Sequence, residues 1–393
     1  MIRQVLDAPG TIAGGSFAMR ILIATITAGG GHIQAAAALE EAWRASRPRD
    51  VVEKADLQTF FSRLHKKVYT DGYVQMVARA PELWGLLFKA TDSPKLVRKM
   101  TALRRKFPPN STLKFIRHVQ QFKPDVVFCT HYLPVEILGK AREKWPGKPP
   151  FVVCVVTDFE AHALWMGEAV DLYCVAAEET RARLIARGAD AENIIVTGIP
   201  ISGKFSGATD AAAVRKRLGL RDDLPTLLVL DGGFGMGPVA EILRELDKVE
   251  RPFQTLVVAG RNEELRRELA VQDRRHPTQV LGFVTNMHEL MAVSEMIITK
   301  PGGLTTSEAL ALGKPLFILN PIPGQEEANS DFLLERGGAA KVTRVEDLPY
   351  RLSHLIGSKK LAEMGAAAKA LGRPSAAPDI CREVLRRIAS PSR

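Results

Sequence analysis

The chain has 393 residues, long for one domain and ordinary for two. Hydrophobic residues make up 46% and charged residues 25% of it, a soluble globular balance. No apolar run approaches the ~18–20 residues a membrane-spanning helix needs. The formal charge is +10, but residues 63–123 hold fourteen Lys/Arg against Asp71, Glu82 and Asp92, a local +11 that leaves the remainder near neutral.

Residues 1–18 carry Pro-Gly and Gly-Gly pairs and no sustained apolar core, so they read as a loose extension and not a secretory signal. The ordered fold is expected to start near Met19. Residues 20–27 (RILIATIT) predict a buried parallel strand. Ala28-Gly29-Gly30-Gly31-His32 turns it into a helix predicted over 33–45. The spacing is not G-x-G-x-x-G, which disfavours a dinucleotide-dependent dehydrogenase. Three glycines admit a ligand close to the backbone. His32 stands at the helix mouth, where it serves either as a cap or as a general base.

After a strand at 51–57 comes the basic region. Phe60, Phe61, Leu64, Val68, Tyr69, Tyr73, Met76 and Val77 recur near helical spacing, and 81–88 (PELWGLLF) adds an apolar, aromatic cluster. Further basic helical segments are expected at 95–106 and 113–122. Two readings remain open. In one, Trp84, Phe88, Arg104, Arg105 and Lys106 belong to a surface that docks on anionic lipid, each cation contributing about 1 kcal/mol. In the other, the segment is a solvated insertion whose apolar side packs on the core. Nucleic acid is not expected, since no recognised binding module is present.

Regular alternation resumes with strands at 125–130, 151–156, 171–176 and 194–197, and helices from Pro134 and over 178–187. His131, Asp158 and His162 follow strand ends, where open α/β sheets keep their sites. Gly198-Ile199-Pro200 reads as a crossing between a first domain (19–200, with the insertion at about 60–123) and a second (201–393). The second domain predicts a helix at 211–218 and a strand at 226–230 ending in a glycine-rich turn, 231–237. Strands at 254–259 and 279–281 and helices from Glu263 and over 286–293 follow. Residues 294–299 (SEMIIT) predict a buried strand leading into Lys300-Pro-Gly-Gly-Leu-Thr-Thr-Ser-Glu308 and a helix over 304–312. Such a turn aims free N–H groups and the helix dipole at a phosphate, with Glu308 one turn on to accept from a sugar hydroxyl. A capped helix without a ligand is the plainer alternative. A strand at 315–319, Pro323-Gly-Gln-Glu-Glu327, a helix at 326–335 and two closing helices at 362–371 and 378–388 complete the chain. The fold class is α/β, two doubly wound Rossmann-like domains facing across a cleft.

There is no P-loop, H-E-x-x-H, G-x-S-x-G or convincing D-x-D, so a diphosphate must be met by glycine loops, threonines and helix dipoles, with no metal. Cys129, Cys154, Cys174 and Cys381 form no C-x-x-C pair and read as buried free thiols in a reducing cytoplasm.

Thr27-Ala-Gly-Gly-Gly-His32, Cys129-Thr-His-Tyr-Leu-Pro134, Val156-Thr-Asp-Phe159 with His162 and Trp165, and Lys300 to Glu308 with Pro323 to Glu327 together resemble monogalactosyldiacylglycerol synthase and related processive diacylglycerol glucosyltransferases. The similarity runs from about Arg20 to Leu371, and its C-terminal motif is shared with the peptidoglycan lipid II N-acetylglucosaminyltransferase. The resemblance implies a GT-B fold, with an N-terminal acceptor domain and a C-terminal UDP-sugar domain. It implies inverting, metal-independent transfer of galactose or glucose from a UDP-sugar to diacylglycerol, with no cofactor. Carried over by motif, Gly302, Gly303, Leu304, Thr305 and Thr306 border the diphosphate, Glu308 the ribose, Gln325 and Glu326 the hexose, and the backbone near Phe283 the uracil. Gly233 lies in the second glycine turn, where Phe234 replaces a small polar residue of the lipid II enzyme and puts that side-chain contact in doubt. Gly30, Gly31 and His131 fall on the acceptor or phosphate side. His32 is the first choice of base and Asp158 the second. The expected location is peripheral, on the inner face of the cell membrane among anionic lipids. Transfer of N-acetylglucosamine to a polyprenyl-linked acceptor, a GT-B-type UDP-sugar epimerase and a non-catalytic lipid-binding relative are the rivals.

Overall fold

Runs of valine, isoleucine and leucine without polar alternation require burial on both faces, and they build two six-stranded sheets. The computed structural model describes residues 18–27, 29–66, 72–97, 99, 109–230 and 238–389. The first sheet holds β1 (Arg20–Thr25), β2 (Val51–Asp56), β3 (Val126–Cys129), β4 (Phe151–Val155), β5 (Leu172–Val175) and β6 (Ile194–Val196), in the order β2-β1-β3-β4-β5-β6. The second holds β7 (Thr226–Leu230), β8 (Gln254–Val258), β9 (Thr278–Leu281), β10 (Met296–Thr299), β11 (Leu316–Leu319) and β12 (Ala339–Val342), in the order β12-β11-β10-β7-β8-β9. All these pairings are parallel. Strand order reverses between β1 and β3, and again between β7 and β10. Loops leaving the strand ends diverge at those two points, and a crevice opens there.

Helix α1 (Gly30–Ser46) follows β1. The described part of the basic insertion forms α2 (Arg63–Lys66), α3 (Gly72–Arg79) and α4 (Pro81–Thr91), after which α5 (Asn110–Phe122) returns to the sheet. Then come α6 (Tyr132–Arg142), α7 (Glu178–Ala186), α8 (Ala211–Arg217), α9 (Val239–Leu246), α10 (Glu263–Ala270) and α11 (Met287–Ala292). The chain ends with α12 (Gly303–Ala311), α13 (Gln325–Glu335), α14 (Leu348–Leu355), α15 (Lys359–Leu371) and α16 (Ala376–Ala389). Residues 1–17, Arg104, Arg105, Lys106 and the 231–237 turn with Gly233 and Phe234 lie outside the described residues. Cys129, Cys154, Cys174 and Cys381 are buried free thiols.

Three features differ from the sequence reading. Helix α1 begins at Gly30, so the glycines form its first turn and not the loop before it. Strand β12 and helix α14 lie where no element is predicted. The third difference concerns the domain division. Helix α16 does not belong with residues 201–371: its Ile380, Cys381 and Val384 are buried in one cluster with Ile21, Ile23, Leu39 and Trp43 of the first domain. Its apolar face fits the groove beside α1, while α15 already covers α12 on the second domain.

The chain therefore crosses between domains twice, and the crossings touch. A Cβ on Gly198 (φ +90°) would lie 2.5 Å from Arg373 Cβ, and Ser206 Oγ donates to the Pro374 carbonyl at 2.7 Å. The interdomain contact is apolar at its centre. Phe159, Ile199 and Phe205 share a cluster with Leu228, Met291 and Leu310, and the Phe159 ring stacks on Phe332 at 4.4 Å. Asn329 stitches its edge, accepting from the Phe159 N–H at 2.9 Å and donating to the Pro301 carbonyl at 3.0 Å.

Candidate functional site

Two helices start at the two reversal points, α1 after β1 and α12 after β10. Both lack a side-chain cap, their N-cap residues being Gly29 and Gly302. His131, Asp210, Asn262 and Ser358 cap α6, α8, α10 and α15. Helices α4, α5, α7, α9, α11 and α14 have no side-chain cap either, so what sets α1 and α12 apart is their glycines and their place at the reversal points. Open N–H groups at a positive dipole end attract anions. The two ends meet across the domain boundary. A Cβ at Gly31 would lie 3.8 Å from Leu304 Cβ, and one at Gly303 would lie 2.1 Å from the Thr157 carbonyl oxygen, so only glycine permits that second approach. Beside them opens a cavity of about 630 Å³.

Gly30, Gly31, His32 and Asp158 line it from the first domain. From the second, Gly302, Gly303, Leu304, Thr305 and Glu308 line it, together with Gln325, Glu326 and Phe283. The structure thus brings most of the sequence-derived residues to one place, and five of the described ones, Thr306, His131, His162, Trp84 and Phe88, do not line the cavity. Thr306 is fully buried behind the wall, its hydroxyl without a hydrogen-bond partner among the described residues. His131, expected on the phosphate side, is also buried. Its Nδ1 accepts from the Leu133 N–H at 3.1 Å, capping α6, and its ring packs edge-on against His32 at 4.8 Å. It packs behind His32 and does not line the cavity. Trp84 and Phe88, expected on the lipid side, are half-buried, and Phe88 is turned inward against Gly324 and the His162 ring.

Sequence reasoning missed Ser202 and Lys204, which also line the cavity, and gave no role to Thr157 or Lys300. Ser202 and Lys204 sit just past the Gly198-Ile199-Pro200 crossing. In a two-domain protein that hinge segment forms the floor of the cleft, and this was the available signal.

The electrostatics sort the titratable groups. His32 Nδ1 lies 2.9 Å from the Thr130 carbonyl oxygen and 2.9 Å from Thr157 Oγ. A carbonyl only accepts, so Nδ1 carries the proton and Nε2 is the bare nitrogen. Burial lowers the His32 pKa to about 4, opposed by the Thr130 hydrogen bond, so the ring is neutral near pH 7. Asp158 is pushed up to about 7 by burial, against a hydrogen bond from Asn329 and with the Glu326 and Glu160 carboxylates adding to the rise. Burial alone raises Glu308 to about 8. Glu326 is raised as well, chiefly by burial, while its Oε2 accepts the Ile322 N–H at 2.8 Å. Carboxyls held away from water, with Lys300 and Lys204 beside them, suit a ligand with both hydroxyl donors and negative charge.

Residues 32–201 match the family described as monogalactosyldiacylglycerol (MGDG) synthase, and residues 238–380 match the glycosyltransferase family 28 C-terminal domain. A processive diacylglycerol beta-glucosyltransferase of Bacillus cereus (strain ATCC 10987 / NRS 248) is 32% identical over 375 residues, 93% of each chain. The chain belongs to the MGDG synthase and processive diacylglycerol glucosyltransferase family. Another member of that family, from Bacillus pumilus (strain SAFR-032) and of the same description, is 29% identical over 93% of this chain and 94% of its own. In fold, this chain is similar to Acinetobacter baumannii MurG, with a TM-score of 0.60, 17% identity and coverage of 94% of this chain and 99% of that one. It is also similar to Anabaena Alr3699/HepE in complex with UDP-glucose, with a TM-score of 0.56, 13% identity and coverage of 94% and 99%. The two facing sheets are the GT-B fold.

Proposed function

We propose that this chain is an inverting hexosyltransferase that moves glucose or galactose from a UDP-hexose to diacylglycerol, at the inner face of the cell membrane and without a metal or cofactor. One observation carries the reading: a neutral histidine with a bare Nε2 and an uncapped helix N-terminus stand on opposite walls of one cavity. The described activity of the Bacillus relatives supports it.

In this mechanism the glycerol hydroxyl attacks the anomeric carbon and its proton passes to His32 Nε2. The bond from that carbon to the diphosphate oxygen breaks, and UDP departs with the electron pair. Charge growing on the diphosphate meets the N–H groups opening α12, with Lys300 and Lys204 in the same cavity. Fixed dipoles of this type often supply the largest share of catalysis. Glu308 takes the ribose hydroxyls, Gln325 and Glu326 the hexose, and the backbone at Phe283 the uracil.

Glu308→Ala should weaken UDP binding by about 10–100-fold, the worth of one or two buried hydrogen bonds. Titration with UDP and with 2′,3′-dideoxy-UDP separates the cause. An equal loss for both nucleotides would remove the ribose assignment.

The lipid contact falls on the outer side of α4. Leu83, Leu86 and Leu87 recur at i, i+3 and i+4 and are 51%, 68% and 42% exposed, with exposed Lys89, Lys95 and Lys99 following in sequence. Among the described residues no helix is long and apolar enough to cross a membrane. Inserting these leucines into lipid is worth about 1 kcal/mol each. Serine at all three positions should therefore lower affinity for phosphatidylcholine–phosphatidylglycerol vesicles about 100-fold, measured by co-sedimentation. Unchanged sedimentation would place the contact elsewhere.

The function itself is tested by incubating the protein with diacylglycerol vesicles and UDP-glucose, UDP-galactose or UDP-N-acetylglucosamine separately, with and without EDTA. The expected product is a hexosyldiacylglycerol, formed equally in both. A lipid product from UDP-N-acetylglucosamine alone, or an epimerised nucleotide sugar with no lipid product, would overturn the reading.

A further inference from the structure

Helix α4 is apolar nearly all round, and its inner side lies on the second domain. A Cβ at Gly85 would come within 2.7 Å of Pro323 Cβ, and one at Gly324 within 2.5 Å of Phe88 Cδ1. Two glycines, one on each partner, let the helix and the 322–324 loop approach this closely. Gly324 has φ +92° and is the residue directly before Gln325, where α13 begins. Phe88 thus bears on the backbone position that sets the direction of Gln325 and Glu326.

Phe88 is itself held from behind. His162 Nδ1 accepts the Leu164 N–H at 3.1 Å, so its Nε2 carries the proton and donates to the Phe88 carbonyl at 2.9 Å. The two rings lie 4.4 Å apart. Asp92, just past the end of α4, receives both Arg187 nitrogens at 2.6 and 2.7 Å and the Ala163 N–H at 2.7 Å. The C-terminal end of α4 is therefore fixed to the first domain while its inner face presses on the second.

We propose that Phe88, backed by His162 and Asp92, is a positioning residue for the hexose end of the donor site. A helix of the first domain sets the loop of the second that grips the sugar. This rests on the reading above that Gln325 and Glu326 hold the hexose. Since UDP has no hexose, the contact should govern UDP-hexose affinity and leave UDP affinity alone.

Calorimetric titration of the full chain with UDP, UDP-glucose and UDP-galactose gives the ratio of hexose-donor Kd to UDP Kd. Phe88→Ala should raise that ratio about fivefold or more for the preferred donor, the lower range of a site-to-site coupling. Gly85→Ala should do the same by wedging the helix off Pro323, in a helix whose intrinsic propensity the change improves. Gln325→Ala is run beside them. If Gln325→Ala moves the ratio and neither Phe88→Ala nor Gly85→Ala does, the positioning role is wrong and the donor reading stands. If Gln325→Ala also leaves the ratio unmoved, the hexose assignment falls, and this proposal with it. Equal weakening of UDP and UDP-hexose by Phe88→Ala would likewise overturn the proposal, because it would show a general loosening of the fold.

Discussion

Replacing His32 with alanine is expected to lower kcat for hexosyl transfer by about 10²–10⁴-fold, the usual contribution of a positioned general base, with UDP affinity little changed. The pH profile gives a sharper test of the assignment. A base works in its unprotonated form, so the rate rises with pH through the base's pKa and is then flat. His32 is held down to about 4 and Asp158 is pushed up to about 7. With His32 as the base, kcat/KM should rise through about pH 4 and stay level across neutrality. An acid limb near pH 7 that disappears in Asp158→Asn would assign the proton to Asp158. Near-normal turnover in His32→Ala would lead to the same conclusion.

Gly303→Ala is expected to cost about 100-fold in kcat/KM without loss of stability. The added Cβ would stand 2.1 Å from the Thr157 carbonyl oxygen and 3.2 Å from Ile199 Cδ1, and a carbonyl on the facing backbone cannot rotate away. Either α12 retreats or the domains part by about an ångström, and a displacement of that size at the reacting centre is enough for such a loss. Gly303 opens α12, and the clash falls between the domains and not inside either sheet's core, so the melting temperature should change little while activity falls. A variant with unaltered kcat/KM would show that the contact between Gly303 and Thr157 is dispensable in the working enzyme. A parallel fall in melting temperature would shift the explanation to folding.

Much of this arrangement was legible in the sequence. The strands from β3 to β11 that are buried at every position read clearly because nothing polar interrupts them. The glycine turns at 29–31 and 302–303 read as ligand sites because they join such strands to helices. Other features left no comparable trace. Strand β12 is a four-residue edge strand, AAKV, with only its ends buried, and too short to show a period. The orientation of α4 was hidden because leucine, tryptophan and phenylalanine surround it on all sides. Only Gly85, a glycine inside a helix, marked the face that meets another backbone. His131 misled for a different reason. A histidine after a strand end reads the same whether it faces a ligand or caps the next helix, and only the Leu133 N–H decides between them.

The return of α16 to the first sheet bears on how members of such a family can exchange parts. The second domain is in effect inserted into the first, entered near residue 200 and left near 372. A chimera joined at one point would carry α16 away with the foreign second domain and strip the cover from Ile21, Ile23 and Trp43. A chimera joined at both crossings would keep that helix on its own sheet. The same pair of crossings touches at Gly198 and Arg373, so a working exchange has to keep both sides of that contact together.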